Sequence, residues 1–126
     1  ILELGGNDGL RGLSLPETRS HLDAIITRLK EARVQVILAG MKLPPNYGVE
    51  YTTKFEAMYR ELAKAHALPL IPFLLEGVGG EQTLNQADGI HPTGEGYRIV
   101  VQNVLQTLLP LLKTSESNSP VSKKKA

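Results

Sequence analysis

The chain has no cysteine and no tryptophan, and only two phenylalanines and four tyrosines among its 126 residues. Without cysteine there is no disulfide, no thiolate metal site and no cysteine nucleophile. So few aromatics leave little platform for stacking bases. No apolar run approaches the ~20 residues with which a helix crosses a bilayer. An excess of one charge is missing too. The net charge is +1, and Lys123, Lys124 and Lys125 supply it from a polar end that follows Ser119 and Pro120. A nucleic-acid binder carries its positive charge on the folded body, whereas this body is near neutrality. Nucleic acid and a membrane-spanning helix are therefore not expected partners. At this length one domain is expected. Ile1 stands in mid-strand by its pattern, without methionine or a leader, so an upstream start is expected.

What is present alternates between two periods. Ile1-Leu2-Glu3-Leu4 is a short apolar run closed by a glycine pair, as a buried strand is. Ser14-Leu15-Pro16-Glu17 has capping-box spacing with proline in the first turn, and apolar residues then recur at helical intervals, predicting a helix over about 15–32. Val34 to Ala39 is the next strand. After a turn-rich loop from Gly40 to Val49, Thr53-Lys54-Phe55-Glu56 is a second capping box, opening a helix to about His66. Leu68 to Leu75 is the third strand, with Pro69 and Pro72 limiting its pairing. Residues 77–88 are irregular, with a helical turn near Thr83. Thr93 opens a last helix that Pro110 kinks or ends; residues 114–126 form a disordered polar and basic tail. This order predicts an α/β layered fold around a parallel sheet.

In open parallel sheets, sites gather beyond the carboxyl ends of the strands. Three segments fall there: Gly5 to Asp8, Leu43 to Tyr47, and Asp88-Gly89-Ile90-His91-Pro92. Asp88 and His91 are close enough in a turn for the carboxylate to accept from Nδ1–H, leaving Nε2 to take a proton. Taken alone, the same residues also read as a plain Asp-Gly turn before a helix. The amide of Asn7 can serve as an oxyanion donor or close an Asx-turn. Asp8 reads as structuring its loop, Ser14 as a helix cap, and Ser20 as a helix residue. His66 suits a helix C-terminus, and His21 a helix surface.

In combination, order and spacing, these segments resemble the SGNH hydrolases, also called GDSL esterases, and most closely the bacterial arylesterase, acyl-thioesterase and lysophospholipase branch. Leu2 to Gly12 is similar to that branch's third block, Leu43 to Gly48 to its substrate-side loop, and Asp88 to Pro92 to its fifth block. The resemblance covers about residues 1–113. It implies a three-layer flavodoxin-like parallel sheet, here lacking its first two strands and first helix. It implies hydrolysis of a small-molecule ester or thioester with an acyl chain, through an acyl-serine and without metal or organic cofactor. By the same resemblance Asn7 is the oxyanion donor, His91 the general base and Asp88 its partner, while Gly6, Leu43 and Pro44 touch substrate. Members of the branch are often periplasmic or secreted. The family's Gly-Asp-Ser nucleophile motif and the oxyanion glycine of its second block are absent from this sequence. They are expected in a missing N-terminal segment, leaving this chain inactive alone and its open sheet edge prone to self-association. The alternative is a non-catalytic binding or assembly module built on the same fold.

Overall fold

A computed structural model describes residues 1–117 of the chain. Its elements follow in the order α1 (Gly6–Leu10), α2 (Leu15–Glu31), β1 (Leu38–Ala39), α3 (Val49–His66), β2 (Leu70–Ile71) and α4 (Gly94–Ser117), with single 3₁₀ turns at Pro45–Tyr47 and Gln82–Leu84. β1 and β2 pair in parallel, Leu38 opposite Leu70 and Ala39 opposite Ile71. Leu2 adds a third parallel member on the other side of β1: its N–H donates to Ile37 O at 2.8 Å and its carbonyl accepts from Ala39 N–H at 2.9 Å.

Alternation along β1 divides the core between two faces. Leu38 points toward α2 and α3, where Leu22, Ile26, Phe55, Met58, Tyr59 and Leu62 are buried around it. Ile37 and Ala39 point the other way, with Ile71, against Val104 and Leu108 of α4. The strands are shorter than the predicted runs at 34–39 and 68–75. Pro69 and Pro72 flank β2 and offer no N–H, so the ladder is confined to the residues between them. Pro69 still contributes its carbonyl, which accepts from Leu38 N–H at 3.0 Å.

The helices begin where their caps dictate. Ser14 Oγ accepts from Glu17 N–H at 3.4 Å, and Pro16 occupies the first turn of α2 as expected. The predicted capping box at Thr53 does not form. α3 starts at Val49 after Gly48, whose φ of 85° turns the chain out of the preceding 3₁₀ turn. Tertiary bonds hold that earlier start: Tyr47 Oη donates to Leu10 O and Tyr51 Oη to Leu13 O, each at 2.8 Å. At its other end α3 closes with Ala67 left-handed (φ 53°) and Leu68 N–H donating to Ala63 O at 2.8 Å, a Schellman-type stop.

α4 opens beside Thr93, whose Oγ1 accepts from Gly96 N–H at 3.2 Å. Pro110 does not end the helix, which continues to Ser117 and takes in the first part of the predicted tail. A proline removes one N–H but its φ is helical, and the flanking Leu108 is seated on the sheet. Lys123, Lys124 and Lys125 lie outside the described residues.

Gly40 marks the tightest backbone approach. A β-carbon there would lie 2.4 Å from the carbonyl oxygen of Pro72 and 2.9 Å from that of Ile71, while Gly40 N–H already donates to Ile71 O at 2.7 Å. Backbone cannot swing aside as a side chain can. Gly40→Ala is therefore expected to lower stability by about 1–3 kcal/mol, the range for overpacking a core. Gly94→Ala meets no atom within 4 Å and is expected to be neutral or stabilising by a few tenths of a kcal/mol, as alanine in a helix allows. Urea unfolding of both variants at one pH checks the contrast.

Candidate active site

The site starts from a turn that only glycine permits. Gly5 sits at φ 98°, and a β-carbon on it would lie 2.5 Å from Tyr59 Oη. That hydroxyl donates to Leu4 O at 2.8 Å, fixing the end of the first extended segment. The chain then reverses into α1, so Asn7 stands in the first turn of a five-residue helix rather than in the loop or Asx-turn expected. Among the described residues the Asn7 side chain makes no hydrogen bond, and it faces a cavity. Asp8 structures this region as expected, its Oδ2 accepting from the buried Thr18 hydroxyl at 2.9 Å. Burial pushes the Tyr59 phenol well above its ordinary range, with the charges of Glu3 and Asp8 adding to the shift.

The second arm is the turn before α4. An antiparallel bridge joins Asn85 to Pro92, Gln86 N–H donates to His91 O at 2.7 Å, and Gly89 takes φ 73°. The buried Asn85 clamps the base of this turn by donating to Val78 O at 2.7 Å and Glu81 O at 2.9 Å. Inside the turn Asp88 accepts three times. Its Oδ1 takes Ile90 N–H and His91 N–H, both at 3.0 Å, and its Oδ2 lies 2.6 Å from His91 Nδ1. These bonds, the imidazole first and the backbone amides next, hold the Asp88 carboxyl down at about 2, against an ordinary 3.8. The plain Asp-Gly turn is thus present, and it also carries an oriented histidine whose side chain is 62% exposed.

The two arms meet. A cavity of about 580 Å³ is lined by Gly5, Gly6 and Asn7 from one arm, His91 and Pro92 from the other, and Tyr97 and Val100 of α4. A second, more apolar cavity of about 280 Å³ holds Leu43, Pro44, Pro45 and Phe73, with Lys42 Nζ 5.4 Å from the Phe73 ring centroid. The two cavities share Gly6, Leu10, Met41, Leu75 and Ile90 as common walls. Asn7, His91, Gly6, Leu43 and Pro44 therefore line one connected depression, with Asp88 behind the histidine. Among the described residues no serine lines either cavity.

Met41, Phe73 and Ile90 line the depression without having been singled out in the sequence. Met41 follows the carboxyl end of β1 and Phe73 that of β2, the positions the strand-end rule marks. Ile90 is enclosed within the Asp-Gly-Ile-His motif itself. His66 and His21 lie elsewhere on helices: His66 Nε2 is 2.7 Å from Asp23 Oδ1, and His21 is an exposed residue of α2.

Residues 1–99 match the GDSL-like Lipase/Acylhydrolase family. The chain is 43% identical over 112 residues to Esterase TesA of Pseudomonas aeruginosa, a match covering 89% of this chain and 56% of that protein. It is 38% identical over 112 residues to thioesterase 1/protease 1/lysophospholipase L1 of Escherichia coli, covering 89% of this chain and 54% of the relative. A crystal structure of TesA superposes with a TM-score of 0.83 at 43% identity, over 86% of this chain and 61% of that one. AlinE4, an SGNH-hydrolase family esterase, superposes with a TM-score of 0.66 at 37% identity, over 90% and 58%. The chain spans about half the length of the curated relatives it matches. Its parallel-sheet α/β architecture is that of the SGNH-hydrolase fold, and by sequence and structure together it belongs to the GDSL-like lipase/acylhydrolase family.

Proposed function

We propose that this chain carries the base and part of the oxyanion hole of a serine hydrolase acting on carboxylic esters or thioesters. The observation that supports this most directly is the single cavity bordered by both Asn7 and His91. In this reading His91 takes the proton of a serine hydroxyl as its oxygen attacks the acyl carbonyl, and returns that proton to the leaving group as the acyl-serine forms. Water then attacks the acyl-serine by the same route, and the serine is regenerated. Asp88 holds the imidazole in one tautomer and stabilises its protonated form. The Asn7 amide donates to the oxyanion of each tetrahedral intermediate. Gly6, Leu43 and Pro44 border the acyl side, where apolar walls suit a hydrocarbon chain.

The nucleophilic serine and a second oxyanion donor, a glycine, come from a segment outside this chain. Ser14 is occupied as the cap of α2, and Ser20 sits within α2. Catalysis needs the hydroxyl held within about 3–3.5 Å of the carbonyl carbon, and among the described residues no serine lines the cavity. The 126-residue chain is therefore expected to hydrolyse p-nitrophenyl butyrate no faster than buffer and to take up no stoichiometric fluorophosphonate. Stoichiometric labelling of a serine in the chain alone would overturn this. Refolded with the part of P. aeruginosa TesA that the match leaves uncovered, the mixture is expected to gain hydrolysis. Asp88→Asn in this chain should then lower kcat by about 10⁴-fold, the scale of a triad carboxylate.

The carboxyl of Asp88 supplies a pH test that needs no turnover. Its folded pKa is depressed, so its contribution to stability is present above about 3.8 and is lost as pH falls through about 2. Carbon-detected NMR of the carboxyl is expected to show a midpoint near 2. In His91→Ala the largest cause disappears while the amides of residues 90 and 91 remain, so the midpoint should rise part of the way toward 3.8. An unchanged midpoint would remove the imidazole bond from the account.

A further inference from the structure

The end of the sheet away from the candidate active site carries a cavity of its own. The depression described above is lined by residues that follow β1 and β2, among them Met41, Leu43 and Phe73. At the opposite end, the residues leading into those strands (34–37 and 67–69) line a cavity of about 690 Å³ with Leu108 and Leu111 of α4. No residue lines both ends. Val36 and Ile37 are buried and form its floor, while Val34, 47% exposed, and Leu111, 37% exposed, stand at its rim.

Its polar lining side chains are Lys30, Gln35 and His66, and among the described residues no carboxylate lines it. Lys30 stands in the last turn of α2, and its Nζ donates to His66 O at the end of α3 at 2.9 Å. That bond uses one of three ammonium N–H groups, and among the described residues Lys30 has no acidic partner. His66 is answered within the fold, its Nε2 lying 2.7 Å from Asp23 Oδ1. The last turns of α2 and α3 carry Arg28, Lys30, Lys64 and His66, against Glu31, and so offset the negative ends of both helix dipoles. An apolar trough with one unpaired ammonium at its rim suits a hydrocarbon chain ending in an anion.

We propose that this cavity is a second ligand site, binding a single-chain amphiphile with a carboxylate head. The carboxylate pairs with Lys30 Nζ, and the chain lies along Val36, Ile37, Leu68 and Leu108. Charge complementarity favours this occupant over the chain's own end, whose Lys123, Lys124 and Lys125 would meet Lys30 with like charge. Shape favours it over a flat lipid surface, because the apolar floor at Val36 and Ile37 is recessed rather than raised. The site stands on these walls alone and does not depend on the hydrolase reading.

The test titrates dodecanoate, kept below its micelle concentration, into the full 126-residue chain and reads amide shifts by NMR. Shifts are expected at Gln35, Val36 and Leu68, whether or not Leu43 and Ile90 shift as well. Affinity should rise about fourfold per methylene from octanoate to dodecanoate, the worth of burying one such group. Dodecanol should bind about fivefold more weakly than dodecanoate, the upper end for a solvent-facing ion pair. Lys30→Gln should remove that difference, and Lys54→Gln, at the far end of α3, should preserve it. Val34→Asp should weaken both ligands about tenfold with thermal unfolding unchanged. Equal binding of acid and alcohol to the native chain would overturn the site, as would shifts confined to Leu43, Phe73 and Ile90, or none. So would shifts that appear only with phosphatidylglycerol vesicles, which mark a lipid surface. Contacts to Val34 before any acid is added, from residues beyond 117 or from a second copy on raising the chain concentration, would also overturn it.

Discussion

The hydrogen bond from the Tyr59 hydroxyl to the Leu4 carbonyl, 2.8 Å long, is the constraint from which the site follows. Tyr59 is 1% exposed, and its ring meets Phe55 edge to face at 5.3 Å between centroids. Its polar tip therefore has little freedom, and a buried phenol without a partner would cost about 1–3 kcal/mol. The bond sets where the first extended segment stops. Gly5, pressed against the same hydroxyl, sets the direction in which the chain leaves. Asn7 is delivered to the cavity by a core residue more than fifty positions away in sequence.

The histidine arm is built in the opposite manner. Every bond that orients His91 comes from within a few residues: the Asp88 carboxylate, the Gln86 amide and the Asn85–Pro92 bridge. Pairing a carboxylate with three donors at once fixes the imidazole without a large core around it. Such local construction explains how a histidine so open to solvent is still held in one geometry. Exposure also weakens its electrostatics, because charges facing water are screened by a high dielectric. The arrangement is oriented but not dry, and full transition-state stabilisation needs water excluded.

This difference between arms also governs what was legible in the sequence. The Asp88 to Pro92 turn could be read because its bonds span three or four residues. The α2 cap at Ser14 and the buried face of α3 were legible for the same reason. The start of α3 was misplaced at Thr53 because two tyrosine hydroxyls, reaching to Leu10 and Leu13, favour Val49 over the local capping box. Helix α1 was missed because five residues with two glycines (Gly6 and Gly9), capped by a third at Gly5, carry little helical propensity; tertiary contact imposes the turn. Pro110 does not end the helix as one reading of it allowed, since a seated neighbour at Leu108 supports the helix through the missing amide. The strands were legible as existing and parallel, but their lengths depend on which amides Pro69 and Pro72 remove.

The placement of the apolar cavity binds these points into one argument. Gly6 and Leu10 belong to the arm fixed by Tyr59, Ile90 to the locally built arm, and Met41 and Leu75 to the strand ends between them. A hydrocarbon chain lying there would touch all three. Its burial would contribute roughly 25 cal/mol per Å² of apolar surface removed from water. In the proposed hydrolase these apolar walls would orient the reacting carbonyl as well as contribute to affinity. Gly6 lies at the junction, and a β-carbon added to it would meet Met41 Cε at 3.6 Å, an ordinary contact.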